Sequence, residues 1–151
     1  MNEKKYWLIK SEPNSYSIDK FAHDKKTSWT GVRNYQARNF IREMKKEETF
    51  LFYHSGSEPS VVGIGKIISN AYPDPTQFDP KAYYYDPKAT KTKSIWYTVD
   101  VKFVRKLKKP ILLSEIKNNP VFKNMPVTQR GSRLSVQPVL EKHINYFINL
   151  K

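Results

Sequence analysis

Apolar and polar positions alternate in short blocks along the chain, and the period changes from block to block. Residues 6–9 (Tyr-Trp-Leu-Ile) form a short apolar run ended by Lys10. This predicts a buried strand with Trp7 and Ile9 on one side. Ser17 then stands where a helix N-cap belongs, and Ile18, Phe21 and Ala22 follow at helical spacing. Residues 27–33, with Gly31, read as a turn-rich connection. Asn34 is a second N-cap signal, and Ala37, Phe40, Ile41 and Met44 recur at i, i+3, i+4 and i+7, one apolar stripe of a helix closed by charged residues 45–48.

Residues 49–55 and 61–69 read as two strands around a Gly-Ser-Glu-Pro turn. Gly63 and Gly65 fall inside the second, where glycine marks a bulge, a bend or a close backbone approach. Residues 94–104 carry the clearest strand alternation. Ile95, Tyr97, Val99, Val101 and Phe103 point one way, and Trp96, Thr98, Asp100 and Lys102 the other, with Trp96 turned towards solvent or the preceding loop. Ser114 is expected to cap a short helical piece containing Ile116. Leu140, Ile144, Phe147 and Ile148 predict a closing amphipathic helix. Residues 70–94 follow neither period and carry four prolines and four tyrosines. A loop of this length inside a compact domain is commonly functional. Tyr83, Tyr84 and Tyr85 either cover the core or line a ligand surface.

Hairpin-like strand order with a few short helices predicts an α+β domain around a small, curved, mostly antiparallel sheet. The length of 151 residues fits a single domain over 1–151. No apolar run approaches a membrane span, and the N-terminus lacks a signal-peptide core. An intracellular, cytoplasmic location is therefore expected. The absence of cysteine excludes a disulfide scaffold, a thiolate nucleophile and a cysteine zinc site.

Charge alters the picture. There are 27 Lys+Arg against 14 Asp+Glu, a formal net charge of +13. Residues 1–75 hold 12 basic and 9 acidic residues, and residues 76–151 hold 15 and 5. Such an excess favours polyanionic partners. The aromatic fraction of 14% suits both base stacking and core packing.

Catalytic and metal chemistry find little support. His23, His54 and His143 have no metal-binding spacing, and His23 and His143 are expected on helix surfaces. Asp74, Asp79 and Asp86 do not match a calcium loop and fit turn chemistry better. Gly63-Ile64-Gly65 lacks the third glycine of a dinucleotide fingerprint. His54 and Ser55 are adjacent on a strand and so face opposite ways. No catalytic residue, metal or cofactor is expected.

Polar groups do stand at the ends of apolar segments: Lys10-Ser11, Trp29 and Asn34 around the Gly31 turn, Tyr53-His54-Ser55, and Arg133-Leu134-Ser135. Strand ends can gather them at one mouth of a curved sheet, giving an aromatic wall with donors and acceptors, as a base reader needs. Each also has a structural role open to it: a cap for Asn34, core filling for Trp29, solvent or a carboxylate for Arg133.

These segments resemble a known family. Tyr6-Trp7-Leu8-Ile9-Lys10-Ser11-Glu12-Pro13 resembles the opening motif of EVE domains, and residues 28–40, Ser-Trp-Thr-Gly-Val-Arg-Asn-Tyr-Gln-Ala-Arg-Asn-Phe, are very similar to their W-x-G-V-R-N-Y-Q-A-R-N signature. Residues 52–55, 62–64, 71–74, 96–101 and 133–138 match the later blocks in order. The resemblance implies a free-standing PUA-like domain, a small β-barrel with packed helices, as in YTH and ASCH domains. It implies a non-catalytic reader of a modified base, with modified cytosine in DNA, or modified RNA, as the ligand. Lys10, Ser11 and Trp29 match the Lys-Ser pair and cage tryptophan of YTH domains. On this reading Trp29 stacks on the base, while Ser11, Asn34 and Ser55 bond its edge or nearby backbone. Tyr53 or His54 shapes the pocket, Lys10, Arg33 and Arg133 meet phosphates or frame the mouth, and Ser135 belongs to the same wall. The opposite aromatic wall is left to Tyr53, Tyr72 or another ring. Two rival readings use the same features: a nucleoside or small-molecule sensor, and a protein-interaction module presenting residues 83–85.

Overall fold

A computed structural model describes residues 4–129 and 133–150. The first apolar run forms strand β1 (Tyr6–Ser11), followed by helix α1 (Ile18–Asp24) capped by Ser17, whose side chain accepts from the Lys20 N–H. Strand β2 (Lys26–Ser28) leads to helix α2 (Tyr35–Glu43), where Asn34 Oδ1 accepts from the Ala37 N–H at 2.9 Å. Strands β3 (Thr49–His54) and β4 (Ser60–Ile67) form the expected hairpin. Short strands β5 (Tyr72–Pro73) and β6 (Tyr97–Thr98) pair across the long loop. Strand β7 (Asp100–Leu112), helix α3 (Leu113–Lys117), strand β8 (Val136–Val139) and helix α4 (Glu141–Ile148) complete the chain.

Six strands form a mixed sheet in the order β2-β7-β4-β3-β1-β8, curled into a half-barrel. It is mostly antiparallel, as expected; β1 and β3 alone run parallel. Both faces of β1 and β3 are covered, which explains their unbroken apolar runs. Trp7, Ile9, Phe50 and Phe52 pack with Phe21 and Ile41 on one side. Leu8, Leu51 and Tyr53 pack with Phe122, Ile144 and Phe147 on the other.

Gly63 and Gly65 sit at register shifts between β4 and β7. A Cβ on Gly63 would stand 2.4 Å from Ile18 Cδ1, and one on Gly65 2.4 Å from Phe50 Cζ. Both the bulge and the close approach anticipated from the sequence are present, and together they let the sheet curl around α1.

Five expectations are corrected. Thr27 and Ser28, expected in the turn-rich connection of residues 27–33, belong instead to β2, which pairs with β7. The strand expected over 94–104 is divided: β6 belongs to the small sheet, and β7 starts at Asp100 and runs to Leu112. Thr98, assigned to the outer face, is buried; Trp96, left to face solvent or the long loop, is buried against that loop. Trp96 Nε1 donates to Asp86 Oδ2 at 2.8 Å. Ser114 does not cap α3, because the helix starts one residue earlier, at Leu113, whose N–H donates to the Pro59 carbonyl at 2.8 Å. Finally, His143 is 1% exposed, whereas Leu140, placed in the inward stripe, is 59% exposed. Helix α4 begins at Glu141, which turns His143, Ile144 and Phe147 inward.

No helix among the described residues is long and apolar enough to cross a membrane.

Candidate functional site

A cleft of about 520 Å3 opens at the end of β1. Lys10 and Ser11 enter it from β1, Tyr16 from the β1–α1 connection, Thr27 and Ser28 from β2, residues 29–33 from the segment between β2 and α2, Tyr84 from the long loop, and Ser135 from just before β8. Trp29 is half-buried. Its ring meets Phe52 and Tyr16 edge-on, with centroids 5.6 and 5.9 Å apart. Its backbone N–H is tied to the Val99 carbonyl at 2.9 Å. The indole is thus held in position by the core while lining the cleft.

The polar wall is built as firmly. Ser11 Oγ donates to the Tyr16 carbonyl at 2.5 Å, and the Lys10 N–H donates to the Ser135 carbonyl at 2.8 Å. Burial lowers the Lys10 pKa, and the ammonium lies 5.7 Å from the Tyr53 ring centroid. Burial, with the Asp24 hydrogen bond, pushes the Tyr16 phenol up to about 12, so it is a neutral donor at pH 7.

The floor and far rim hang from Asp74, a fully buried carboxylate. Its Oδ2 accepts from the Gly31 N–H at 2.8 Å and from Arg33 Nη1 at 3.0 Å. Its Oδ1 accepts from the Thr76 N–H at 2.8 Å and the Thr76 hydroxyl at 2.6 Å. Burial alone would raise this carboxyl's pKa, but the hydrogen bonds from Thr76, Gly31 and Arg33 outweigh it and hold the group below its ordinary value. Arg33 also donates through Nε and Nη2 to the Tyr84 carbonyl, at 3.1 and 2.7 Å. Its guanidinium lies between the Tyr84 and Trp96 rings, 5.3 and 5.5 Å from their centroids. Gly31 has φ +91°, and a Cβ there would stand 2.6 Å from Tyr84 Cε2. Glycine therefore serves both the turn and the seating of Tyr84.

Five of the ten residues singled out in the sequence line this cleft: Lys10, Ser11, Trp29, Arg33 and Ser135. Tyr53, Ser55 and Arg133, again with Lys10, line a smaller cleft of about 360 Å3, to which Lys117 adds a further cation. His54 and Ser55 line a third, of about 690 Å3, together with Glu12, Asp19 and Lys106. His54 Nε2 accepts from the Ile18 N–H at 3.0 Å, and burial lowers its pKa. Asn34 lines none of these three clefts and is engaged as the α2 cap. Tyr53 is 3% exposed, and the Tyr72 hydroxyl donates to Asp100 Oδ1 at 2.5 Å. The additional rings in the main cleft are instead Tyr16 and Tyr84. Sequence reasoning passed over Tyr16, which carries no periodic signal, and Asp74, which reads as an ordinary turn residue. The proline-rich loop did flag Tyr84.

Among the described residues, no cluster of His, Cys, Asp or Glu is arranged to hold a metal.

Comparison with known proteins gives a consistent picture. The family model for the EVE domain matches residues 5–150. Thymocyte nuclear protein 1 of Gallus gallus is 43% identical over 166 residues, covering 97% of this chain and 68% of that protein. A crystal structure of a Pseudomonas syringae protein superposes with a TM-score of 0.90 at 46% identity, covering 95% of this chain and 97% of that one. The crystal structure of human THYN1 in complex with 5-methylcytosine-containing DNA superposes with a TM-score of 0.88 at 39% identity, covering 96% of each chain.

Proposed function

The chain belongs to the EVE domain family, and on that premise we propose that it is a non-catalytic reader of a modified base in nucleic acid, with modified cytosine in DNA as the first ligand. The observation that carries this is the cleft itself. Trp29 is fixed by the core, Tyr16 and Tyr84 stand in the same cleft, and Lys10, Ser11 and Ser135 place polar groups beside them. An extruded base needs a π-face to stack on and donors and acceptors at its edge. The DNA bound to human THYN1, a relative of the same fold, supports the same ligand class. The net charge of +13 supplies attraction to phosphates that does not depend on sequence.

Lys10 and Arg133, with Lys117, are assigned to the phosphates flanking the base. Arg33 shapes the rim through Asp74 and Tyr84. Ser55 and His54 contribute from the adjoining clefts, and Asn34 acts through the start of α2. The non-catalytic reading is supported by the engagement of the serine–histidine pair weighed in the sequence: Ser55 Oγ donates to the Ser11 carbonyl at 3.4 Å, and His54 Nε2 accepts from the Ile18 N–H. A modified RNA and a cytoplasmic location, both expected from the sequence, belong to the same proposal.

Tryptophan fluorescence titration with matched DNA and RNA oligonucleotides tests it. The set carries unmodified cytosine, 5-methylcytosine, 5-hydroxymethylcytosine or N6-methyladenine, at two salt concentrations. One modified member should bind more tightly than its unmodified match at both salts, and Trp29→Ala should abolish that preference. Loss of one base–aromatic stack corresponds to about 1–3 kcal/mol. Equal, strongly salt-weakened binding to every member would overturn the reading. Equal binding of the isolated nucleoside and the oligonucleotide would instead favour a small-molecule sensor.

A further inference from the structure

The reader proposed above accounts for Tyr84 but not for its neighbour. Tyr83 is 93% exposed, the most exposed of the large hydrophobic side chains among the described residues. An aromatic ring left in water forgoes the burial that stabilises most others. It stands at the rim of the cleft. Its ring meets that of Tyr84 edge-on, with centroids 5.0 Å apart, and Tyr84 lines the cleft.

The segment presenting Tyr83 is fastened rather than loose. The Ala82 N–H donates to the Asp79 carbonyl at 2.9 Å, and the Tyr85 N–H to the Ala82 carbonyl at 3.1 Å. The Asp86 N–H donates to the Gln77 carbonyl at 3.0 Å, and Arg33 grips the Tyr84 carbonyl with two donors. A ring held out on a tied turn loses little conformational freedom when it meets a partner. Lys81 and Lys88, both exposed, stand on either side of it in sequence.

An extruded base stays joined to its neighbour through one phosphodiester, and extrusion leaves a face of that neighbour without its stacking partner. A ring centred 5.0 Å from one lining the base cleft is placed to take that face. We infer that Tyr83 is a second stacking contact, taking the π-face of the base adjacent to the one held in the cleft. This rests on the modified-base reading and deepens it: recognition then covers a dinucleotide step, with identity read in the cleft and added affinity from the flanking base.

The test compares wild type, Tyr83→Ala, Tyr83→Phe and Trp29→Ala. Each is titrated with the preferred modified oligonucleotide, with the same strand carrying abasic sites beside the modified base, and with the isolated modified nucleoside. Tyr83→Ala should weaken oligonucleotide binding by at least about fivefold, the low end for one lost stack. The loss should be the same at both salts, and nucleoside binding and the modified-to-unmodified ratio should not change. Tyr83→Phe should bind as wild type. Abasic flanks should weaken wild type but leave Tyr83→Ala unaffected. Wild-type affinity in Tyr83→Ala, or an equal abasic penalty in both proteins, would overturn the inference while leaving the reader intact, and would turn the exposed ring towards a protein partner. A wild type without modified-base preference would remove the reader and this inference together.

Discussion

The two sides of the sheet each bury a polar side chain and treat it in opposite ways. Beside the cleft, Asp74 is enclosed but accepts from Gly31, Arg33 and both the backbone and hydroxyl of Thr76. On the far side, His143 is enclosed among aromatic rings, with Phe122 at a centroid distance of 5.8 Å. Its nitrogens reach the Val121 backbone without a well-formed hydrogen bond. The first region is held by directional, charge-assisted bonds, and the second by apolar packing. Directional bonds set the positions of particular atoms, as a recognition cleft requires. Packing supplies stability with looser demands on geometry.

Removing either anchor should separate the two roles. Asp74→Ala leaves the Arg33 charge and the Gly31 N–H without their acceptor. We expect a loss of about 3–5 kcal/mol in denaturant unfolding, together with loss of modified-base preference. Phe122→Ala should cost about 3–5 kcal/mol by cavity formation yet leave preference intact at temperatures where the protein is folded. If the two variants affected binding alike, the division of labour would be wrong.

Gly31→Ala tests the cleft side more gently. The backbone there is left-handed and the Tyr84 ring fills the space a methyl would need. A loss of about 1–2 kcal/mol is expected, with weaker oligonucleotide binding because Tyr84 must move.

The smallest effect is with pH. Both groups have folded pKa values below their ordinary ones: burial, then the Lys142 charge, lowers His143, and hydrogen bonding lowers Asp74 against its burial. Protonation therefore favours the unfolded chain in both cases, and each contribution is complete above the unfolded value and lost as pH falls through the folded one. Unfolded histidine titrates near ~6.5 and aspartate near ~3.9. Amide protection factors in α4, taken relative to intrinsic exchange at each pH, should fall first on acidification below about pH 6.5. The Gly31 amide should hold until the pH falls below about 4. The reverse order would contradict the comparison.

Most of the framework was legible in the chain. Ser17 and Asn34 cap the helices they were expected to cap, and the β3–β4 hairpin and both strand glycines stand where their patterns placed them. The failures share a cause. Thr98 and His143 were assigned by local period, but their burial is decided by other segments, the small sheet with β5 in one case and the phase of α4 after β8 in the other. The cleft was half legible. Lys10, Ser11, Trp29, Arg33 and Ser135 converge because they stand at strand ends or turns. Asp74 escaped notice because an aspartate before a proline looks alike whether it caps an exposed turn or anchors a site. Its role follows from partners more than forty residues away.

The place of β1 has a consequence in time. It lies between β3 and β8, with Tyr6 opposite Thr49 on one side and Val139 on the other, and Lys10 is tied to Ser135. During synthesis β3 is made well before β8, which is the last of the described strands. Until then one edge of β1 is unpaired, and the wall formed by Lys10 and Ser135 does not exist. A chain on which β8 has yet to be made therefore cannot present the complete cleft, and ligand recognition begins only after β8 has closed the sheet beside β1.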